Sequence, residues 1–377
     1  MSENQHIEWK QSWRDDYLKW ICGFANADGG VLVIGKDDKG NVVGLSDAQR
    51  LLVDIPNKVR DLLGIMVEVN LAEQDGKTLI EIVVEPYPYP ISYKGAYHYR
   101  SGSTKQELKG AALDQFLLRK QGRHWDGVPV PNFSIDELSS KALDFFRKAA
   151  TKSGRLTAEL LGEPDAVLID KLRLFENDYL KRAALLLFGE DPECLITGAY
   201  IKIGFFRTNS DLLYHDEIHG DLFSQVERTL DLLLTKYLRA GLSYEGLQRL
   251  ETFPVPESAL REAVINAVAH KDYAAANPIQ ISVYNDKLML WNPGQLPEGW
   301  TLDHLTAKHA SDPFNPDIAN TFFRVAYLES WGRGIDLMTN ACRAHGSPLP
   351  KLRWNNGLWV EFPFVQKEVE SSEKSSE

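Results

Sequence analysis

The chain has 377 residues, 44% of them hydrophobic, which is enough for two or three domains with packed cores. Its net charge of −11 excludes a protein that coats nucleic acid through bulk positive charge. Without a run of 18 apolar residues or an apolar first segment, and with three widely spaced cysteines (Cys22, Cys194 and Cys342), we expect a cytoplasmic protein with no membrane span and with reduced, buried thiols.

Residues 1–125 predict a compact α+β domain. A helix end leads through the Gly29-Gly30 corner into a buried strand from Val31 to Ile34, and a tight turn at 39–41 leads into a second strand. Further strand-like runs cover 66–71 and 78–84. The region holds 16 Lys and Arg against 17 Asp and Glu, so nearly all of the chain's negative charge lies downstream of it.

Three motifs of this region carry a family resemblance. They are Phe-Ala-Asn-x-x-Gly-Gly from Phe24, Gly-x-Asp-Asp from Gly35 and Arg-Ser-Gly-Ser-Thr from Arg100. Over about residues 3–105 the pattern resembles the AlbA-type domain of the Schlafen superfamily. The resemblance implies an α/β domain that contacts RNA or DNA, and in some members a nuclease.

The nuclease members carry two acidic residues five apart before the first helix and an aspartate after the first strand. Glu3 and Glu8, trailed by Lys10, match the first pair, and Asp37 or Asp38 matches the third position. Carboxylates at one sheet edge would hold Mg²⁺, or Mn²⁺ as an alternative, against a phosphodiester, and Lys10 would neutralise charge on the phosphate. The alternative is ordinary turn chemistry at Asp37-Asp38 and a fraying Glu3, in a domain that only binds nucleic acid.

Residues 126–254 predict a connector of mixed helices and strands. Ser134 is a predicted N-cap for a helix that reaches Ala150, and residues 222–240 have a strong helical period. His215 and His219 are spaced like metal ligands, with a strand and turn as the alternative to a metal site.

The segment from Leu260 to Tyr273 places a carboxylate, an amide and an imidazole on one side of an otherwise apolar helix. Glu262, Asn266 and His270 stand at i, i+4 and i+8. Burying such groups unpaired is costly, and a bound nucleotide with Mg²⁺ would provide partners for them. The alternative is an amphipathic helix beside a hairpin with ordinary turn glycines.

The residues downstream of this helix complete a second resemblance. Two strands, 279–284 and 287–291, precede Asn292-Pro-Gly294, and Trp331-Gly-Arg-Gly-Ile335 opens another apolar-periodic segment. This order resembles the GHKL ATPases, and residues 255–365 resemble the branch labelled as a RecG-helicase-like C-terminal domain. The resemblance implies a Bergerat α/β sandwich that binds ATP with Mg²⁺.

The resemblance also implies roles for residues of this chain. Glu262 would be the general base, Asn266 the Mg²⁺ ligand, and Asn292 the residue at the adenine edge. The groups implied near the phosphates are His270, Gly294, Gly332, Arg333 and Gly334. Two positions depart from the family: Asn292 stands where Asp is usual, and Phe314 stands where this branch tends to carry Arg.

Together these patterns predict an α+β protein with four regions: 1–125 (Schlafen AlbA-like), 126–254 (connector), 255–365 (ATP-binding) and 366–377 (disordered, Ser/Glu/Lys-rich). The expected function is an ATP-binding effector of defence or stress response that binds or cleaves RNA or DNA, working as a homo-oligomer because GHKL lids commonly close across subunits. The alternative is a non-catalytic, ATP-responsive transcriptional regulator that binds DNA.

Overall fold

The computed structural model describes residues 3–245, 248–297, 300–307, 309–329 and 332–365. The chain forms two compact units, Met1–Arg123 and His124–Glu377. The predicted disordered tail, 366–377, and Trp331 of the second glycine motif lie outside the described residues.

The first unit has an α/β architecture built on a four-stranded sheet of order β1-β2-β4-β3, with β1 and β2 parallel and the other neighbours antiparallel. A smaller antiparallel sheet has the order β5-β6-β7. The elements are β1 (Ile7–Lys10), α1 (Leu18–Asn26), β2 (Gly30–Ile34), α2 (Ala48–Leu63), β3 (Glu68–Gln74), β4 (Lys77–Val84), β5 (Ser92–Tyr93), β6 (Ala96–Ser101), β7 (Thr104–Glu107) and α3 (Gly110–Lys120).

The core of this unit is formed by apolar residues that recur at the period of the helix or strand in which they lie. In α2 the buried residues Leu51, Ile55 and Val59 are four apart, so they make one stripe against the sheet. At the predicted corner, Gly29 has φ +76°, and a Cβ there would lie 2.7 Å from the carbonyl oxygen of Val84. Only glycine fits that corner without displacing the backbone.

The strand predicted after the turn at 39–41 is wrong. The segment makes only an isolated antiparallel bridge between Lys36 and Val42. The Asp37 side chain accepts hydrogen bonds from the backbone N–H groups of Lys39 and Asn41, and this local turn satisfies groups that a ladder would otherwise pair.

The second unit is built on a six-stranded sheet of order β11-β10-β14-β15-β17-β16, in which only the β10–β14 pair is parallel. Its helices are α4 (Ser140–Ser153), α5 (Ala158–Leu161), α6 (Asp165–Lys171), α7 (Arg182–Phe188), α8 (Leu222–Leu232), α9 (Glu257–His270), α10 (Leu302–Thr306), α11 (Pro316–Arg324) and α12 (Gly334–His345). Its strands are β8 (Phe175–Glu176), β9 (Tyr179–Leu180), β10 (Ile201–Thr208), β11 (Asp211–Ile218), β12 (Gly241–Glu245), β13 (Gln248–Thr252), β14 (Ile279–Val283), β15 (Lys287–Asn292), β16 (Lys351–Trp354) and β17 (Leu358–Pro363).

The region predicted as a connector belongs to this second unit rather than standing apart. Its strands β10 and β11 extend the sheet that β14 and β15 continue, and one hydrophobic core runs from Val130 to Phe362. The sequence suggested a boundary near residue 254 because the motifs change there, whereas the packing is continuous across it.

Two predicted helices of this region differ in extent. The helix predicted from Ser134 begins at Ser140, after a 3₁₀ turn in which Ser134 and Glu137 form a capping box. The helix predicted over 222–240 ends its α geometry at Leu232 and continues as a π-helical turn to Tyr237. All three cysteines are free; Cys22 and Cys342 are buried as expected, but Cys194 is exposed.

Helix α9 is packed on most of its circumference. Eight of its residues are buried, and it contacts α8, α12 and β15. We call the side of α9 that carries Glu262, Asn266 and His270 the polar stripe. It is the side of the helix that does not pack into the core. Among the described residues, no helix is both long enough and apolar enough to cross a membrane.

Candidate functional site

A cavity of about 580 Å³ opens beside the polar stripe of α9, within the size range of small-molecule sites. Its wall is formed by α9, the end of β15, α11, the first turns of α12, and strands β16 and β17. The cavity brings together every residue predicted for a nucleotide: Glu262, Asn266, His270, Asn292, Gly294, Gly332, Arg333 and Gly334.

Glu262 and Asn266 form a bonded pair on one turn of α9. The Asn266 side-chain Nδ2 donates to Glu262 Oε1 at 2.7 Å and to the Glu262 backbone carbonyl at 2.8 Å. Because Nδ2 is used in this way, the amide Oδ1 is left without a hydrogen bond among the described residues. Burial raises the pKa of the Glu262 carboxyl, against the lowering effect of the Asn266 hydrogen bond. A carboxylate of raised basicity beside an outward amide oxygen suits proton abstraction and cation binding.

The second glycine turn closes directly onto this pair. Gly334 begins α12, and a Cβ at this position would lie 2.7 Å from both Glu262 Oε1 and Asn266 Nδ2. Gly332, two residues earlier, has φ +64°, which favours glycine. The first N–H groups of α12 therefore stand at the polar stripe, where an anion would be stabilised by the helix N-terminus.

His270 ends α9 as a neutral imidazole. Burial lowers the pKa of His270 to about 4. His270 lines the cavity, and its backbone carbonyl would lie 2.9 Å from a Cβ at Gly294, so Gly294 allows the loop after β15 to pass close to the helix end. At neutral pH His270 can donate or accept a hydrogen bond but brings no positive charge to the cavity.

Asn292, the last residue of β15, is a buried amide whose oxygen is unpaired among the described residues. It lines the cavity, is 3% exposed, and its Oδ1 has no hydrogen bond among the residues that the structure describes. An unpaired buried acceptor costs free energy, about 1–3 kcal/mol, unless a ligand meets it. A bound nucleotide base that donates a hydrogen bond to Asn292 Oδ1 would explain why this buried acceptor has no partner in the protein.

Sequence reasoning missed the groups that hold α11 against the cavity. Asn315 is fully buried, and its Nδ2 donates to the carbonyls of Ala269 and Lys271, at 2.9 and 2.8 Å, joining α11 to the end of α9. Asp126 accepts from the first free N–H groups of α11, and burial raises the pKa of Asp126 to about 7. Asn315-Pro316 was a visible signal, because an Asn before a Pro is typical of a helix start.

The carboxylates predicted for a nuclease centre in the first unit are engaged elsewhere. Glu8 is 4% exposed and forms ion pairs with Lys10 and with the fully buried Arg100, whose Nη1 lies 2.6 Å from Glu8 Oε2. Lys10 also donates to the Trp9 carbonyl at 2.8 Å. The predicted metal ligand Glu8 thus has a guanidinium and an ammonium as its counter-ions, and Lys10 is not free to meet a phosphate.

Glu3 lies near Glu8, because the Lys10 ammonium is 3.8 Å from Glu3 Oε1 and 2.5 Å from Glu8 Oε1. Glu3 also accepts from the Trp9 backbone N–H at 3.0 Å, whereas Asp37 is bonded within its own turn and Asp38 is exposed. In the described parts of the chain, no three His, Cys, Asp or Glu side chains are placed to hold a metal ion, and this includes His215 and His219. The three-carboxylate centre therefore stays a prediction from the sequence. Arg100, the ion-pair partner of Glu8, lies 92 residues away and could not be foreseen from the motif.

Beside this network lies a group of half-buried aromatic rings and lysines that we call the Trp20 surface. Its rings are Trp13, Tyr17 and Trp20, with successive centroids 6.3 and 5.6 Å apart in edge-to-face geometry. The ammonium groups of Lys10 and Lys105 lie 5.2 and 5.3 Å from the Trp20 ring centroid. Lys105 has no ion pair among the described residues.

Two family models match separate parts of the chain. Residues 3–109 match the model described as "Schlafen, AlbA_2", and residues 276–362 match the model described as "Putative ATP-dependent DNA helicase recG C-terminal". The second match includes Asn292 and the glycine turns but begins after α9, so it does not contain Glu262, Asn266 or His270.

Among solved structures, the DIP2311 protein of Corynebacterium diphtheriae is similar, with a TM-score of 0.53 and 17% identity over 96% of this chain and 75% of that one. The N-terminal domain of a RecG-related protein of Nitrosomonas europaea is 29% identical over 29% of this chain and 87% of its own, with a TM-score of 0.23. No curated protein matches the chain. The two matches thus support a fusion of an N-terminal domain of the Schlafen AlbA_2 type with a C-terminal domain of the RecG C-terminal, ATPase type.

Proposed function

We propose that the second unit binds ATP in the cavity beside α9 and hydrolyses it. The observation that carries the proposal is the convergence of a basic carboxylate, an outward amide oxygen, a helix N-terminus and an unpaired buried amide on one cavity. Each matches a different part of the ligand: the attacking water, the cation, the phosphates and the base.

In this proposal Glu262 takes the proton from the attacking water. Its raised pKa strengthens it as a base, and the hydrogen bond from Asn266 fixes the carboxylate in place. The N–H groups at the start of α12 and the glycine turn bind phosphate oxygens. His270 stays neutral, so it does not compete with the cation for the phosphates.

The donor set of the site suits Mg²⁺ as the cation. Mg²⁺ prefers oxygen ligands, and Asn266 Oδ1 and the Glu262 carboxylate are the oxygens on this stripe. We assign Asn266 as the ligand, because Glu262 is needed as a base. When bound, Mg²⁺ would neutralise charge that develops on the phosphates.

Gly334→Ala tests whether the ligand binds here. The added methyl would lie 2.7 Å from the ends of the Glu262 and Asn266 side chains, which can move without unfolding the protein. We expect MgATP affinity to fall by about 10-fold or more, equivalent to about 1.4 kcal/mol, with little change in Tm. Gly162→Ala is the matched control, since its Cβ would meet only backbone oxygens at 3.5 Å. Equal affinity of the Gly334→Ala variant and wild type would refute this placement.

For the first unit we propose binding of single-stranded nucleic acid, RNA or DNA, on the Trp20 surface. Half-buried rings offer faces for base stacking, and Lys105 offers a cation for phosphate. The ion pairs of Glu8 with Arg100 and Lys10 support binding rather than metal-dependent cleavage. This favours a first unit that binds nucleic acid without cleaving it, in a cytoplasmic homo-oligomer whose control of transcription responds to ATP binding and hydrolysis in the second unit.

Trp20→Ala tests the nucleic-acid proposal. Removing one stacking ring is expected to weaken binding of a single-stranded oligonucleotide by about 1–3 kcal/mol. Lys105→Gln is expected to make log Kd less dependent on log salt by about one unit of slope. Fluorescence anisotropy with labelled RNA and DNA measures both, and Tyr89→Ala, an exposed ring elsewhere in the unit, is the control. Wild-type affinity in Trp20→Ala would contradict the proposal.

A further inference from the structure

The identity of the base that the cavity accepts depends on the Asn292 side chain. Asn292 is only 3% exposed at the cavity wall, and none of its side-chain atoms is held by a hydrogen bond among the described residues. The amide can therefore turn about its last side-chain bond without breaking a bond to the protein. Both orientations are available to a ligand, because Oδ1 and Nδ2 are close in size.

The Watson–Crick edges of the two purines present opposite patterns. Adenine has a 6-amino donor beside the N1 acceptor, whereas guanine has a 6-oxo acceptor beside the N1–H donor. At the 6-position a carboxylate, which offers acceptors only, pairs with the adenine amino group and repels the guanine oxygen; it pairs with guanine only through the N1–H and 2-amino donors. A primary amide offers one acceptor and one donor, and in its two orientations it complements either edge.

We propose that Asn292 makes the nucleotide site accept 6-oxopurines as well as adenine, so that GTP is a second nucleotide ligand. The inference rests on the proposed function, since it requires that a purine nucleotide binds in this cavity. It also explains why an unpaired amide is tolerated there: either purine would satisfy its buried acceptor.

The experiment measures Kd for MgATP, MgGTP and MgITP with the intact chain at pH 8, in wild type and in Asn292→Asp. ITP isolates the 6-position because it lacks the 2-amino group of GTP. Wild type is expected to bind all three within about 10-fold of one another, the range left by one neutral hydrogen bond. Asn292→Asp, ionised at this pH, is expected to keep ATP and weaken GTP and ITP by about 10- to 100-fold relative to ATP.

Asn320→Asp is the matched control, because it adds the same charge to the cavity wall from α11 rather than from β15. It is expected to change all three Kd values by a common factor and leave their ratios unaltered. The wild-type comparison needs no variant, so it stands even if Asn292→Asp fails to fold.

Each outcome decides between the two proposals. If no nucleotide binds, both the proposed ATP site and the proposed acceptance of two purines are refuted. If ATP binds and ITP or GTP is more than about 100-fold weaker in wild type, the ATP site stands and the inference is overturned. If all three bind alike and Asn292→Asp preserves their ratios, Asn292 does not determine the selectivity, and the inference is overturned as well.

Discussion

Glu262→Gln is expected to lower kcat for ATP hydrolysis by about 10²- to 10⁴-fold while leaving MgATP affinity close to wild type. Glutamine keeps the oxygen that accepts from Asn266, so the local geometry is retained. It cannot take a proton, so only the step that needs a base is lost. Phosphate release under single-turnover conditions, together with equilibrium nucleotide binding, separates the two effects.

The control is Glu257→Gln, which changes an exposed carboxylate in the first turn of the same helix. It is expected to hydrolyse ATP at the wild-type rate. Should Glu262→Gln retain full turnover, Glu262 would not be the base, although the cavity could still bind nucleotide. A parallel loss of affinity and kcat would instead indicate that Glu262 supports the ligand in the ground state.

Glu8→Ala is expected to destabilise the first unit by about 3–5 kcal/mol, since it leaves the guanidinium of Arg100 buried without its counter-ion. Chemical denaturation followed by tryptophan fluorescence measures this loss. Asp38→Ala is the control: Asp38 is exposed, and its removal is expected to change stability by less than about 0.5 kcal/mol.

This result bears directly on the nuclease hypothesis. A loss of nucleic-acid cleavage in Glu8→Ala would follow from this destabilisation whether or not Glu8 binds a metal, so Glu8→Ala cannot identify a metal ligand. A stable Glu8→Ala variant would contradict the buried ion pair. Metal-dependent turnover by wild type that Asp38→Ala abolishes would revive the three-carboxylate centre.

Local patterns in the sequence singled out residues that line the C-terminal cavity, because each part of this cavity comes from a short segment of chain. The stripe of Glu262, Asn266 and His270 is a consequence of helical spacing alone, and the glycine turns are needed where backbone passes close to α9. The structure brings these separate motifs to one cavity.

The sequence could not predict side-chain contacts between residues that are far apart in the chain. Arg100 reaches Glu8 across 92 positions, and Asp126 reaches the start of α11 across 191. Neither pair has a sequence signature, since a single Arg or Asp fits many partners. For the same reason the sequence did not predict that β10 pairs with β14. This pairing places strands of the predicted connector and of the ATPase-type region in one sheet.

Calorimetric titration of the intact chain with ATP, with and without Mg²⁺, tests the nucleotide site beside α9 most directly. We expect saturable heat at one site per chain in the presence of Mg²⁺, and a loss of the Mg²⁺-dependent part of the affinity in Asn266→Ala. Absence of heat together with an unchanged Tm at millimolar ATP and Mg²⁺, or full Mg²⁺-dependent binding by Asn266→Ala, would contradict the proposed site.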